Sequence, residues 1–211
     1  MKEADTVAAA LNDPDAHARA IRQTGKKIIG YLCSYVPEEL ILGAGFHPMR
    51  IFSSQPDIIK ADAHLQSYCC APVRGIFEDS LSGRLDYLDG MVFPQTCDTI
   101  QRLSDIWRMN RKDAFFADLS WPVKMNTKSS TDYTVDILTR FKTELEDFSG
   151  KTITDTDIGT AIALTNRIRT LVSRLYRLHS EKPGRMKTRD LYTLVKGSMV
   201  LDKALAAEAQ E

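Results

Sequence analysis

The sequence predicts an α/β protein with a mostly parallel, doubly wound sheet, followed by an all-helical segment. Helix and strand signals alternate over the first 125 residues, and this βαβα order is typical of parallel sheets. After a polar stretch at residues 124–130, apolar residues recur only at helical spacing. We therefore divide the chain into an α/β domain, residues 1–125, whose sheet edge carries the candidate site, and a helical segment, residues 126–211.

Short apolar runs and helix start signals define the elements of the α/β domain. Asp13 and Pro14 are typical of an N-cap and a first helical residue, and Pro37 begins another helix that has two glutamates in its first turn. The predicted order is helix 13–26, strand 28–32, helix 37–43, strand 49–52, helix 71–81, strand 90–93, helix 96–108 and strand 114–117.

Two long helices with one apolar face each are predicted in the second segment. The first ends at Gly150. The second begins near Thr154 and Asp157, which resemble a capping box with aspartate in the place of the usual glutamate. A last helix is predicted over residues 188–206, and the helices of residues 132–206 are expected to form a layer separate from the sheet.

The composition excludes several classes of protein. Lysine and arginine total 28 and aspartate and glutamate total 28, so no net charge attracts the chain to nucleic acid or to an anionic membrane. No apolar run approaches the about 20 residues of a membrane span. The N-terminus leads into no apolar stretch of the kind that signal peptides contain. These features predict a cytoplasmic protein with no nucleic-acid or membrane partner.

Three of the four cysteines stand at predicted element ends. Cys33 follows the first strand, Cys70 begins a helix, and Cys97 lies between the third strand and its helix. Ligands of open α/β sheets bind at the carboxyl ends of the strands, where the chain turns into the next helix. We therefore expect Cys33, Cys97 and the helix start at Cys70 to lie at one edge of the sheet, with Glu39 near them.

These thiols are the candidate chemical groups of the chain. A thiolate is a soft ligand that suits iron-sulfur clusters, and a helix N-terminus favours the ionised form of the sulfur. Four cysteines are too few for a disulfide framework. No Cys-x-x-Cys pair occurs, and free cysteine is also one of the most buried residue types, so a purely packing role stays open at this point.

Four separated segments carry a resemblance to a known family. Residues 30–40, 67–75, 85–94 and 96–108 resemble, in the same order, the 2-hydroxyacyl-CoA dehydratase D-component and benzoyl-CoA reductase subunit family. The resemblance implies a lyase or oxidoreductase subunit that acts on an acyl-CoA substrate. It also implies a four-iron four-sulfur (4Fe-4S) cluster, an ATP-dependent activator protein that supplies one electron, and ketyl-radical chemistry at the thioester carbonyl.

The resemblance also implies roles for individual residues. Cys70, in its Cys-x-x-x-Arg setting, and Cys97, in its Cys-Asp setting, resemble cluster ligands. Cys33 is a candidate third metal ligand, and Cys69 is expected to be a bystander. Ser34 and Glu39 are catalytic candidates, although a glutamate in the first turn of a helix also complements the helix dipole.

Family members are roughly twice as long as this chain and have a second α/β domain that contributes another cysteine ligand. The resemblance therefore covers the N-terminal half of a member. Any cluster is expected to be labile, open at one iron, or shared with a homologous second subunit. The alternative function is a truncated, non-catalytic assembly partner that lacks a complete cluster site.

Two further predictions concern residues outside the cysteines. His47, which precedes Pro48, is predicted to lie in a turn. Arg167, Arg169 and Arg174, with Arg177, form a basic helix face that is either solvated or in contact with CoA phosphates.

Overall fold

A four-stranded parallel sheet forms the centre of the protein. The computed structural model describes residues 2–54, 57–112 and 114–210. The strands are β1 (Ile28–Tyr31), β2 (His47–Arg50), β3 (Gly90–Pro94) and β4 (Phe115–Leu119). They pair in the order β2-β1-β3-β4, so β2 and β4 are the edge strands. The predicted α/β class and parallel sheet are confirmed.

The helices of the described residues are α1 (Lys2–Asn12), α2 (Pro14–Gln23), α3 (Glu38–Gly43), α4 (Ala71–Leu81), α5 (Asp98–Asn110), α6 (Lys128–Ser149), α7 (Asp155–Glu181), α8 (Thr188–Val200) and α9 (Lys203–Glu208). Their start signals act as the sequence predicts. The carboxylate of Asp13 accepts a 2.8 Å hydrogen bond from the backbone N–H of Ala16, which caps α2. Thr154 and Asp157 form the reciprocal capping box of α7.

Both faces of the sheet are covered by apolar side chains. On one face, Phe93 of β3 packs against the fully buried Trp107 of α5, with ring centroids 5.6 Å apart. On the other face, Phe141 and Leu145 of α6 pack in one cluster with Val92 of β3. A parallel sheet needs helices on both faces, because its strands are buried on both sides.

The expectation of a helical layer separate from the sheet is wrong for α6, because α6 supplies the cover for one sheet face. The other late helices do form a core of their own. Leu171 of α7 and Leu194 of α8 pack there with Val7 of α1. The division of the chain at residue 125 stays a prediction.

The last predicted helix is two helices. α8 ends at Val200 and α9 begins at Lys203. Leu201 lies between them, almost completely buried, and the carboxylate of Asp202 accepts a 3.1 Å hydrogen bond from the backbone N–H of Ala204. The sequence does not indicate this break, because the helical spacing of apolar residues continues past Asp202, which acts as the N-cap of the second helix. Along the described ranges of the chain, none of the helices is both long and apolar enough to cross a membrane.

His47 is not a turn residue. It is the first residue of β2, it is 1% exposed, and its Nε2 lies 2.9 Å from the carbonyl oxygen of Val200. Burial lowers the pKa of His47 to about 4, against the opposing effect of the Val200 carbonyl. The imidazole is therefore neutral at pH 7, and Nε2 donates to the carbonyl.

Acidification is expected to destabilise the fold through His47. Its folded-state pKa lies below the unfolded value of 6.5, so the stability it contributes is fully present above pH 6.5 and is lost as the pH falls towards about 4. The pKa difference corresponds to roughly 3 kcal/mol of unfolding free energy at most. Urea denaturation between pH 7.5 and pH 4 measures the loss, and His47→Gln should flatten the pH dependence. An equally steep dependence in His47→Gln would contradict this assignment.

Candidate functional site

Three of the four thiols lie at the carboxyl edge of the sheet. Cys33 follows β1 by two residues, and Cys97 is the N-cap of α5, just after β3. Cys70 is the N-cap of α4. Because α4 leads back into the start of β3, its own N-terminus lies at the opposite, carboxyl edge. The three cysteines therefore lie at the same edge of the sheet, as the alternating pattern predicts. Their roles stay predictions.

The cysteines differ sharply in exposure. Cys70 and Cys97 are exposed, Cys33 is half-buried, and Cys69 is buried within the core cluster of one sheet face. Neither Cys70 nor Cys97 forms a side-chain hydrogen bond that caps its helix. The packing interpretation therefore fits Cys69 and does not fit Cys70 or Cys97. Two thiols are thus accessible beside the first backbone N–H groups of their helices.

Cys97 and Cys70 both act electrostatically on the Cys33 thiol. Burial raises the pKa of the Cys33 thiol, the negative charge of Cys97 raises it further, Arg50 opposes the shift, and Cys70 adds a smaller increase. Within the described ranges, no group of three or more His, Cys, Asp or Glu residues is arranged to hold a metal ion. The thiols are therefore neighbours, and the described side chains do not form a closed metal site.

The loop after β1 is strained where it carries Cys33. Cys33 has φ of 51° and Tyr35 has φ of 68°, the left-handed conformation that only glycine adopts without cost. Each such residue costs on the order of 1 kcal/mol. The exposed Ser34 lies between them. Strain of this kind persists where the surroundings determine the backbone, and it clusters at functional sites.

Glu39 anchors α3 to α7. Its Oε1 accepts a 2.5 Å hydrogen bond from Nη2 of Arg169 and a 2.9 Å hydrogen bond from Oγ1 of Thr165. Burial by itself raises the pKa of Glu39, but the hydrogen bonds from Arg169, from the backbone N–H of Glu39 and from Thr165 together more than offset it, and the pKa lies below its usual value. Glu39 is therefore held as a carboxylate, which suits accepting a proton better than donating one.

An ion pair between the buried Lys203 and the half-buried Glu38, next to Glu39, was not predicted from the sequence. Nζ of Lys203, a residue 3% exposed, lies 2.5 Å from Oε2 of Glu38 and donates a 2.8 Å hydrogen bond to the carbonyl oxygen of Ser198. The hydroxyl of Tyr31 donates to the other Glu38 oxygen. Burial and the Glu38 charge raise the pKa of Tyr31 well above its usual value. No local sequence signal marks this pair, because its members come from distant parts of the chain.

An apolar cavity of about 480 Å³ opens between the loops that follow β1 and β4. Its walls are largely aromatic and aliphatic, and the indole Nε1–H of Trp121 is buried without a hydrogen-bond partner among the described residues. The lining residues are Tyr35, Val36, Pro37, Trp121, Pro122, Met125 and Leu138. The cavity therefore adjoins the edge that carries Cys33, and it suits an apolar ligand.

The basic face of α7 is an open groove. Arg169 contributes to it, but its guanidinium is paired with Glu39. Arg174 and Arg177 are exposed on the same face. Contact of this face with CoA phosphates stays a prediction.

Known proteins match this chain over most of its length. Residues 33–211 match the family described as 2-hydroxyglutaryl-CoA dehydratase, D-component. The chain is 34% identical over 178 residues to a benzoyl-CoA reductase subunit of Thauera aromatica, and the match covers 83% of this chain and 46% of that protein. It is 26% identical over 183 residues to the (R)-phenyllactyl-CoA dehydratase beta subunit of Clostridium sporogenes, covering 87% of this chain and 49% of that protein.

A third relative is the (R)-2-hydroxyglutaryl-CoA dehydratase beta subunit of Acidaminococcus fermentans, 32% identical over 161 residues, or 75% of this chain and 42% of that protein. The chain thus spans less than half the length of each of these three relatives. The match over residues 33–211 includes all four cysteines, Ser34 and Glu39. On this match, the chain belongs to the 2-hydroxyglutaryl-CoA dehydratase D-component family.

Proposed function

We propose that this chain is a subunit of an iron-sulfur acyl-CoA enzyme, either a 2-hydroxyacyl-CoA dehydratase or a benzoyl-CoA reductase. The observation that carries the proposal is the placement of two exposed thiols, Cys70 and Cys97, at helix N-termini on the carboxyl edge of the sheet. The names of the matched relatives support the substrate class, because each is a subunit of an enzyme that acts on a CoA thioester.

Cys70 and Cys97 would hold a 4Fe-4S cluster, with Cys33 as a third ligand. Thiolates are the ligands that such clusters take in proteins, and both N-cap positions lie at the positive end of a helix dipole. Cys33 must lose its proton on binding metal, against the burial that favours its neutral form. When bound, the cluster would supply a single electron to the thioester carbonyl, for dehydration or for ring reduction through a ketyl radical.

The other groups at this edge would position the substrate. The apolar cavity around Trp121 and Leu138 would hold the acyl group and exclude water from it. Glu39 would accept a proton or a hydrogen bond from the substrate, since Arg169 and Thr165 keep it ionised. Ser34 would offer an exposed hydroxyl from the strained loop.

The proposal includes two protein partners. A homologous second subunit would supply the remaining cluster ligand, because the described thiols do not close a metal site by themselves. An ATP-dependent activator protein would deliver the electron. Val123 is fully exposed and Met125 is 62% exposed beside the apolar cavity, and apolar surface of this kind is typical of association sites.

The second candidate function is a non-catalytic assembly partner without a complete cluster site. One observation favours it, namely that among the described residues no three His, Cys, Asp or Glu side chains are arranged around a common metal position. The two functions differ in whether this chain binds iron.

Anaerobic reconstitution with iron and sulfide tests the proposal. The chain should become brown, with the broad visible absorbance of an iron-sulfur cluster, and should retain iron after desalting. The experiment is repeated with a homologous second subunit present, which should increase the iron retained. A chain that remains colourless and free of iron under both conditions would instead establish the non-catalytic role.

A further inference from the structure

A second, more enclosed pocket lies beside the edge strand β2. Its volume is about 310 Å³, and its walls come from the α1–α2 turn, the end of β2, the turn after α4 and helix α8. Apolar side chains such as Met49, Ile51 and Val200 form one part of the lining. Charged side chains form the other part, so the pocket has one apolar wall and one charged wall.

Two cations of this pocket stand beside the same aromatic ring. The guanidinium carbon of Arg50 lies 5.4 Å from the centroid of the Phe52 ring, and Nζ of Lys196 lies 5.1 Å from it. Both cationic side chains are half-buried. Cation–π contact stabilises such groups far less than a carboxylate partner in a protected position would.

The acidic group of the pocket is already satisfied. Asp79 is 1% exposed, and its carboxylate accepts 2.8 Å hydrogen bonds from the backbone N–H and the hydroxyl of Ser54. Nε of Arg84 completes this set at 3.0 Å and neutralises the charge of Asp79. Asp79 therefore has no remaining charge to offer to Arg50 or Lys196.

The pocket thus holds an uncompensated positive charge. Among the described residues, neither Arg50 nor Lys196 has a carboxylate within ion-pair distance, and the other contact of Arg50 is from Nη1 to the thioether sulfur of Met199, at 3.2 Å. Two like charges in the lining of one concave, partly desolvated site repel, and an anion between them relieves the repulsion. The charge of the pocket therefore favours an anionic ligand, and its apolar wall favours an organic one.

We propose that this pocket binds the phosphate group of an organic phosphate ester, with Arg50 and Lys196 as its two cationic contacts and the apolar wall against the organic part. A phosphate dianion matches two cations in charge, and arginine and lysine both bind phosphate oxygens strongly. A free nucleotide and the nucleotide end of coenzyme A share this chemistry. None of the described residues that line the pocket is a cysteine, although Arg50 also acts on the pKa of the Cys33 thiol, so ester binding is measured on the chain without iron.

Isothermal titration of the 211-residue chain tests the proposal with four probes: inorganic phosphate, AMP, adenosine 3′,5′-bisphosphate and coenzyme A. At least one phosphate ester should bind saturably and more tightly than inorganic phosphate. Tightest binding of coenzyme A or the bisphosphate identifies the nucleotide end of CoA as the source, and tightest binding of AMP identifies a free nucleotide. The absence of saturable binding by all three esters would overturn the proposal.

Variants that remove one positive charge test whether the ester binds in this pocket. Lys196→Met and Arg50→Met keep the aliphatic stems and should each weaken binding of the preferred ester about tenfold or more, because each removes one charge-assisted contact. Arg189→Met removes an exposed charge from the same helix outside the pocket and should leave binding unchanged. Lys196→Arg keeps the charge and should retain binding.

If a variant folds poorly, the shift in melting temperature caused by the ester is a second measure of binding. The preferred ester should raise the melting temperature of the wild-type chain and of Arg189→Met. It should raise that of Lys196→Met much less. The reason is that a ligand that binds only the folded state stabilises it more when its affinity is higher. An equal melting shift or equal affinity in the wild-type chain and Lys196→Met would exclude Lys196 and refute the assigned pocket.

Discussion

Replacing Cys97 by serine is expected to abolish anaerobic iron incorporation while leaving the fold intact. Serine has nearly the volume of cysteine, but its hydroxyl is not the soft thiolate that an iron-sulfur cluster takes. Cys97 is exposed, so the new hydroxyl stays hydrated and the free energy of unfolding should not change measurably. Cys70→Ser should behave in the same way, for the same two reasons. Iron content and melting temperature, measured on the same samples, check both parts of the expectation.

Cys69→Ser is the matched control, because it changes the neighbouring thiol of the same segment. Cys69 is 3% exposed within the core, so serine there buries a hydroxyl in an apolar environment. The expected cost is about 1–3 kcal/mol of unfolding free energy, with iron incorporation retained. Equal iron in the wild-type chain and in Cys97→Ser would end the cluster proposal for this thiol, whatever the melting temperatures show.

Gly90→Ala is expected to destabilise the sheet by about 1–3 kcal/mol or more. Gly90 is paired in register with Phe115 of β4. A Cβ atom at position 90 would lie 2.5 Å from the Cβ of Phe115 and 2.8 Å from its carbonyl oxygen. Because these are atoms of the strand and not the flexible end of a side chain, β3 and β4 must separate to accommodate the methyl group. Urea denaturation measures the effect.

Gly159→Ala provides the control for this substitution. Gly159 lies inside α7, and apart from the helix's own backbone nothing lies within 4 Å of a Cβ placed there. Alanine should stabilise that helix by roughly 0.5–1 kcal/mol, since it loses less backbone entropy on folding than glycine does. If Gly90→Ala were as stable as Gly159→Ala, the close pairing of β3 with β4 would be incorrect.

Local signals in the sequence predicted much of the fold. Asp13 and Thr154 mark helix starts by side-chain capping, which depends on residues only three positions apart. The shared edge of Cys33 and Cys97 follows from the parallel order alone, because the carboxyl ends of parallel strands lie together. These predictions needed no knowledge of distant contacts.

Features that depend on distant contacts were not predicted. The sequence His47-Pro48 is typical of a turn, yet β2 is an edge strand, where a proline can leave its nitrogen on the unpaired side. The partner that makes burial of His47 tolerable, the carbonyl of Val200, lies 153 positions away. The apolar cavity likewise requires Trp121 and Tyr35 to meet across the sheet edge. Such contacts have no periodic signature in the chain.

The ion pair of the buried Lys203 with the half-buried Glu38 links the last helix to the segment that follows Cys33. Removing α9 from its place would leave the Glu38 carboxylate without its cation in a poorly hydrated position, and opening α3 would do the same to Lys203. The two segments should therefore open as one cooperative unit, and their backbone amides should share a single protection factor in native-state hydrogen exchange. The strained loop at Cys33 is thus coupled to α9, at the far end of the described chain.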